Sequence, residues 1–335
     1  MKVDKLTIKE IEHYSGHNPK STLFSEVKRK HFKILNESVG GDAPKDVLKA
    51  YIFEPGIIKS KEKLWKKYIV KLGHKWYPIE SITEQMITCI GQHCNFKVAN
   101  SHIAVIQDSV RFFSEHFHKS NQILVHGAEI LSRHLNEHDT HLVDTIENQG
   151  NTREFFDIED LICAIEGTYQ SQKILDDFYE LILFDALIGN NDRHFYNWGI
   201  IEHIKGKHNP YFSPIYDTAR GLLWNISEEK IEALINSNHK KEAFIKKYTL
   251  NKSHPKVGIR AKPKCNHFEV ITWLVENNKI KKELRHKVNT INELELENYL
   301  QKEFKDMLGV NRFALAIEIL NLRLSNIKRI LKDND

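Results

Sequence analysis

LIGNNDRHFYNWGII at residues 187–201, with FSPIYDTARG at 212–221, sets a crowd of polar side chains directly behind a very apolar segment. The apolar part begins near residue 173. Leu175, Phe178, Leu181, Ile182, Leu183, Phe184, Leu187 and Ile188 occupy nearly every side of a helix, the pattern of a central helix buried all round. Gly189 supplies the stop, and Asn190 and Asn191 make a turn. Asp192, Arg193, His194 and Asn197 follow at once. Residues 198–204 and 211–215 read as a short hairpin around GKHNP, which returns Asp217 to the side of Asn197 although they stand 20 residues apart. A carboxylate beside an amide carbonyl is half of a Mg²⁺ site, because that ion takes oxygen ligands and lets phosphate and water complete its shell. Asp192 stands clear of the pair, placed to accept a hydroxyl proton or to orient a nucleophile. Any one of these residues alone reads as a cap, a turn former or a hydrogen-bonded histidine. Three oxygen side chains converging through one loop and one hairpin outweigh that reading.

The rest of the chain fits an α+β architecture in two parts. Its 335 residues are 41% apolar and 28% charged, with 17 Phe, 11 Tyr and 5 Trp, which excludes a disordered chain. Only 15 Gly and 8 Pro exclude a low-complexity one. Lys and Arg exceed Asp and Glu by 49 to 45, a +4 balance that demands no nucleic acid partner. The cysteines, Cys89, Cys94, Cys163 and Cys265, form no C-x-x-C pair. Cys89 and Cys94 flank His93 without a second ligand pair, so free thiols in a reducing compartment are preferred to zinc. The charged start and the absence of any apolar run near about 18 residues point to a cytoplasmic protein with no membrane span.

Residues 1–36 are polar and helix-leaning. Strand patterns follow at 47–56, 67–72, 101–107 and 110–113, with a helix at 82–93 carried by Ile82, Met86, Ile87 and Ile90. Helical patterns take over at 123–134, 158–165, 173–188 and from 227 onward, ending with 312–331. The expected division is a strand-rich lobe over 1–118 and a mainly helical lobe over 119–335.

D-R-H-x-x-N followed by an aspartate after a strand resembles the catalytic and metal-binding segments of the phosphatidylinositol-kinase-like superfamily. Within it, LIGNNDRHFYNWG and SPIYDTARG are similar to the HipA-like serine/threonine kinases. The resemblance implies a bilobed protein-kinase-like fold that uses ATP and Mg²⁺. It matches Asp192 to the catalytic aspartate and Asn197 and Asp217 to the Mg²⁺ ligands, with Arg193 and His194 fixing the loop. Upstream, SVGGDAPK resembles the family's phosphate loop, assigning Ser38, Val39, Gly40, Gly41 and Lys45 to the nucleotide phosphates. Lys71 in YIVKL matches the strand lysine. Glu84 matches the helix glutamate that orients it, with Glu80 as a second candidate. The nucleotide hinge falls near residues 114–117, where Glu115 and Phe117 stand. Asp42 departs from the pattern by putting a negative charge inside the phosphate loop, and residues 46–66 are longer than a minimal hairpin. The likeness spans about residues 36–225 and continues as a helical pattern, with NHF at 266–268 and RFALAIEILNLRLSNI at 312–327.

The family implies autophosphorylation at the loop serine, here Ser38, which would set a charge near −2 against ATP. It also implies a protein substrate and, for toxin members, a small helix-turn-helix antitoxin through which DNA is reached indirectly. An exported effector, a lipid or small-molecule kinase of the same superfamily, and a non-catalytic nucleotide binder are the competing readings. The dispersed basic runs at 28–33, 240–247 and 279–287, interleaved with Glu, weigh against a membrane substrate. The complete set Lys71, Asp192, Asn197 and Asp217 weighs against a pseudokinase.

Overall fold

The computed structural model describes residues 20–37, 45–74, 77–150 and 152–332. Its N-terminal part is a five-stranded antiparallel sheet in the order β1-β2-β3-β5-β4, formed by β1 (Phe32–Ile34), β2 (Lys45–Ala50), β3 (Lys66–Leu72), β4 (Ser101–Ile106) and β5 (Ser109–Glu115). Alternation sorts the faces. Tyr68, Val70 and Phe113 pack with Phe32, Leu48 and Ile106 in a small core on one face. Lys71 emerges on the other, opposite Phe112 of β5 and Lys45 of β2. The β4–β5 turn uses left-handed Gln107 and Asp108, at φ 50° and 61°, as tight hairpins with right-handed twist require.

Helix α1 (Glu80–His93) runs between that sheet and the helical part. Its Ile82, Met86, Ile87 and Ile90 are buried and belong to the larger core, which extends through the C-terminal helices. That part begins with β6 (Gln122–His126) and α2 (Gly127–His134), α3 (His141–Asn148), α4 (Thr152–Phe155), α5 (Ile158–Tyr169) and α6 (Gln172–Ile188). After the strands β7 (Gly199–His203) and β8 (Tyr211–Phe212) come α7 (Glu228–Ile235), α8 (Asn238–Lys247), α9 (His267–Glu276), α10 (Lys282–Asn289), α11 (Glu293–Leu308) and α12 (Val310–Lys332). The fold is thus a strand-rich N-terminal sheet joined to a mainly helical C-terminal part.

Helix α6 is the axis of the large core. Phe178, Leu181, Leu183, Phe184, Leu187 and Ile188 are all buried, each contributing roughly 1.5–3 kcal/mol relative to an exposed side chain. It ends at Gly189, whose φ of +67° suits a residue without Cβ. A Cβ there would also lie 2.8 Å from Ser253 Oγ and 3.0 Å from Arg323 Cζ. Arg323 of α12 donates to the carbonyls of Ala186 (2.6 Å) and Thr249 (3.1 Å), satisfying an end that would otherwise be buried bare.

Three expected elements differ. The helix expected over 123–134 is a strand, Gln122–His126, that becomes helical only at Gly127. Its apolar run is too short for periodicity to separate strand from helix, and its partner β7 lies far along the chain. The hairpin expected from 198–204 and 211–215 forms the centre and one edge of a three-stranded sheet in the order β6-β7-β8, but its second strand closes after Phe212. Ile215 instead forms an isolated bridge with Val98. Within the helix-leaning first 36 residues, Phe32–Ile34 forms the edge strand β1, because Phe32 completes the small core.

Candidate functional site

The loop leaving α6 is built around a buried charge. Asp185, which interrupts the apolar run of the helix, takes two parallel hydrogen bonds from Arg193, Nε to Oδ2 and Nη2 to Oδ1, both 2.8 Å. Asn190 Nδ2 adds a third at 3.0 Å, and Asn190 Oδ1 accepts from the Asp192 N–H at 3.1 Å. Burial works against the Arg193 charge, but Asp185 outweighs it and holds the guanidinium pKa above its ordinary value. The remaining nitrogen, Nη1, donates to the carbonyls of both Asn197 and Tyr216 at 2.6 Å. One guanidinium therefore draws the loop after α6 and the chain after β8 to a common point.

Asn197 Nδ2 donates to the Asp192 carbonyl at 2.8 Å, leaving the amide oxygen as its remaining acceptor. Asp217 follows with φ +53°, a left-handed setting that Asp tolerates better than most residues. Its carboxylate meets Lys71 Nζ at 2.8 Å and Lys45 Nζ at 3.4 Å. Lys71 Nζ also bonds Glu84 Oε1 of α1 at 2.9 Å, so one buried ammonium joins the buried Glu84 to the partly exposed Asp217. Burial alone would raise the Asp217 pKa, yet Lys71, Lys45 and Arg193 hold it well below the usual range. Lys71, although desolvated, is raised by Asp217 and Glu84 and stays an ammonium. Glu84 is raised by burial, then by the neighbouring Asp217.

Asp192 is the more exposed aspartate and faces Arg220 Nε at 3.9 Å. His194 lies 4.0 Å from Glu147, which also accepts the Phe195 N–H. Burial lowers the His194 pKa, so its ring is held neutral. A cleft lined by Val98, Ala99, Phe112 and Ile215, with Thr88, Ser114 and Thr218, ends at Glu84 and Asp217. Phe117 packs on Tyr216 at the rim, ring centroids 5.3 Å apart. A roomier depression where α6 meets α10 holds none of these residues, and its charges pair with one another, Lys281–Asp176 at 2.7 Å and Lys287–Glu180 at 2.8 Å.

The structure thus brings together Lys45, Lys71, Glu84, Asn197, Asp217 and, through the loop, Asp192, Arg193 and His194. Glu115 is placed differently: its side chain lies on the sheet face away from Lys71 and pairs with Lys66 at 3.0 Å, leaving only its backbone for the cleft. Ser38, Val39, Gly40 and Gly41, with Asp42, lie outside the described residues. Sequence reasoning missed Asp185, Asn190 and Arg220 as parts of the site. A charge inside so apolar a helix was the available signal for Asp185, because a buried carboxylate needs a partner.

Comparison with known proteins adds the family. The model of the HipA-like C-terminal domain matches residues 37–286, well over half of the chain. The chain belongs to this family. Comparison of this HipA-like chain with curated proteins gave no match. Among solved structures, the Helicobacter pylori proinflammatory kinase CtkA is similar with a TM-score of 0.69 at 17% identity, over 90% of this chain and 94% of that one. At that identity the likeness speaks to the fold, the same strand-rich and helical arrangement. The Shewanella oneidensis MR-1 toxin–antitoxin complex of HipA, HipB and operator DNA gives a TM-score of 0.49 at 14% identity, over 88% of this chain and 65% of that one.

Proposed function

We propose that this HipA-like chain is an ATP- and Mg²⁺-dependent protein serine/threonine kinase, with a nucleotide-side lobe over 1–118 and a catalytic lobe over 119–335. The observation that carries the reading is the single ammonium of Lys71 bound to Glu84 at 2.9 Å and Asp217 at 2.8 Å. Kinase chemistry needs a helix carboxylate that aims a strand lysine at the phosphates, next to a carboxylate for the metal. Lys71 and Lys45, with Ser38, Val39, Gly40 and Gly41, would hold phosphates. The apolar walls Val98, Ala99, Phe112 and Ile215 would take the base, with the Glu115 backbone and Phe117 at its edge. Asp192, on the exposed side of the loop, would accept the acceptor hydroxyl's proton. Arg193 and His194 would keep that loop in place.

The donors fit Mg²⁺. Among the described residues no three His, Cys, Asp or Glu side chains gather to hold a metal alone. Two oxygen donors, the Asp217 carboxylate and the Asn197 amide, suit an ion that fills its shell with phosphate and water. The bound ion would neutralise charge on the transferring phosphoryl group.

The test is intact-mass spectrometry after incubation with Mg²⁺ and ATP, alone and with a cell extract as acceptor source. Wild type should transfer phosphate, to Ser38 if the family's self-modification holds here. Asp192→Asn should lose roughly 10²–10⁴-fold in rate yet keep its thermal stabilisation by Mg²⁺–ATP, and Asp217→Asn should lose that stabilisation. A wild type showing neither transfer nor stabilisation would sink the kinase reading; a folded Asp217→Asn with normal turnover would sink the metal assignment. The toxin role, a small helix-turn-helix antitoxin that alone touches DNA, and a cytoplasmic site of action rest on the family. Among the described residues no helix is long and apolar enough to cross a membrane. Co-purification of a small DNA-binding protein would check the partner.

A further inference from the structure

Helix α1 carries two buried glutamates four residues apart, Glu80 and Glu84, a spacing that puts them on one face. Glu84 reaches Asp217 through Lys71. Glu80 leads to the other functional aspartate through another cation. Its Oε1 lies 3.3 Å from Arg220 Nε, and the same nitrogen lies 3.9 Å from Asp192 Oδ2. Arg220 is held in two further ways. Its guanidinium stacks on Trp224 at 3.9 Å, and Trp224 itself packs edge-on against Tyr77 and His74. Its carbonyl accepts the Asn191 N–H at 3.3 Å, one residue before Asp192. The second oxygen of Glu80 accepts the His74 N–H at 2.7 Å, which orients the carboxylate. Arg220 Nε thus lies between two carboxylates while the guanidinium stacks on an indole. It is a strut.

The geometry points to Arg220 as a positioning residue for Asp192, held to α1 by Glu80. One helix thereby governs both halves of the site, the phosphate-side Asp217 through Glu84 and the acceptor-side Asp192 through Glu80. A displacement of α1 releases both aspartates together. This rests on the kinase reading for its catalytic consequence, but the Glu80–Arg220–Asp192 linkage is testable without it. The charges facing Glu80 are Arg220, Glu84 and Lys71. Burial pushes its carboxyl up to about 7 against the pull of Arg220, so the strut tightens as pH rises through that value.

The experiment uses the full chain as wild type, Glu80→Gln, Arg220→Gln, Arg220→Lys, Asp192→Asn and the pairwise doubles, measuring Mg²⁺–ATP turnover across pH and denaturation midpoints. Arg220→Gln should lower kcat about 10–100-fold with KM for ATP unchanged, and Arg220→Lys should restore part of it. Glu80→Gln should give a similar loss, the Glu80/Arg220 double should be no worse than the worse single, and the rise of kcat through pH 7 should vanish. Unchanged kcat in a folded Arg220→Gln, or multiplying losses in the double, overturns the proposal. Turnover absent from wild type would fail the kinase reading alone. The strut then stands if Arg220→Gln and Asp192→Asn are non-additive in stability, and falls if they add.

Discussion

Replacing Lys71 with methionine removes the ammonium that bonds both Glu84 and Asp217 while keeping the length of the side chain. Both contacts are short, 2.9 and 2.8 Å; Glu84 is buried, while Asp217 is about a quarter exposed. Removing one partner of a buried pair costs about 3–5 kcal/mol, because the other charge stays desolvated and uncompensated. Asp217 retains Lys45 at 3.4 Å and the field of Arg193, so the charge left stranded is chiefly Glu84. Glu84 can escape only by taking a proton. Its folded pKa, already raised by burial, rises further without Lys71, above the unfolded value of about 4.3. Between those two values the folded state binds more protons than the unfolded one, so stability falls as pH rises through that window. The deficit of Lys71→Met against wild type should therefore be larger near pH 8 than near pH 5.5. Urea denaturation followed by tryptophan fluorescence at both pH values measures it. A folded variant within about 0.5 kcal/mol of wild type at pH 8, small beside the expected cost, would refute the account of Lys71. So would a deficit that does not shrink at acid pH.

Two further outcomes follow from the same packing. Glu80, raised from 4.5 to about 7 by burial, binds its proton more tightly folded than unfolded, so its ionisation weakens the fold as pH rises from about 4.5 to about 7, by about 3 kcal/mol in all. Glu80→Gln should remove that slope, read as the pH dependence of the denaturation midpoint; an unchanged slope counts against it. Gly189→Ala forces a left-handed backbone on alanine and drives a methyl against Ser253 and Arg323. It should cost about 2 kcal/mol or more, and thermal melting at the wild-type value would count against the packing described for the end of α6.

Much of this was legible along the chain because it is local. The all-round apolar pattern of 173–188 needs no partner to mark a buried helix, and α6 (Gln172–Ile188) with its glycine stop forms where that pattern stands. The strand around Lys71 and the helix after it were legible for the same reason, as β3 (Lys66–Leu72) and α1 (Glu80–His93). The strand at 122–126 was not, since Ile123, Leu124 and Val125 suit either period until β7 arrives to pair with them. Nor was the setting of Glu115, whose face depends on the register of β5 against β3.

Side-chain periodicity and turn chemistry are properties of neighbouring residues, and they were enough to single out Asp192, Asn197 and Asp217 together; Lys71 and Glu84 joined them through the resemblance to the HipA-like kinases. Which carboxylate meets which cation was left to the packed chain. Glu80 and Glu84 stand one helical turn apart, and the sequence favours Glu84 for Lys71 without assigning Glu80 a partner. Only the seating of α1 against β3 on one side and the segment after β8 on the other gives Lys71 to Glu84 and Arg220 to Glu80. The first pairing joins residues 13 positions apart and the second residues 140 apart. They are fixed by helix position and strand register to within an ångström, a precision that no local pattern carries.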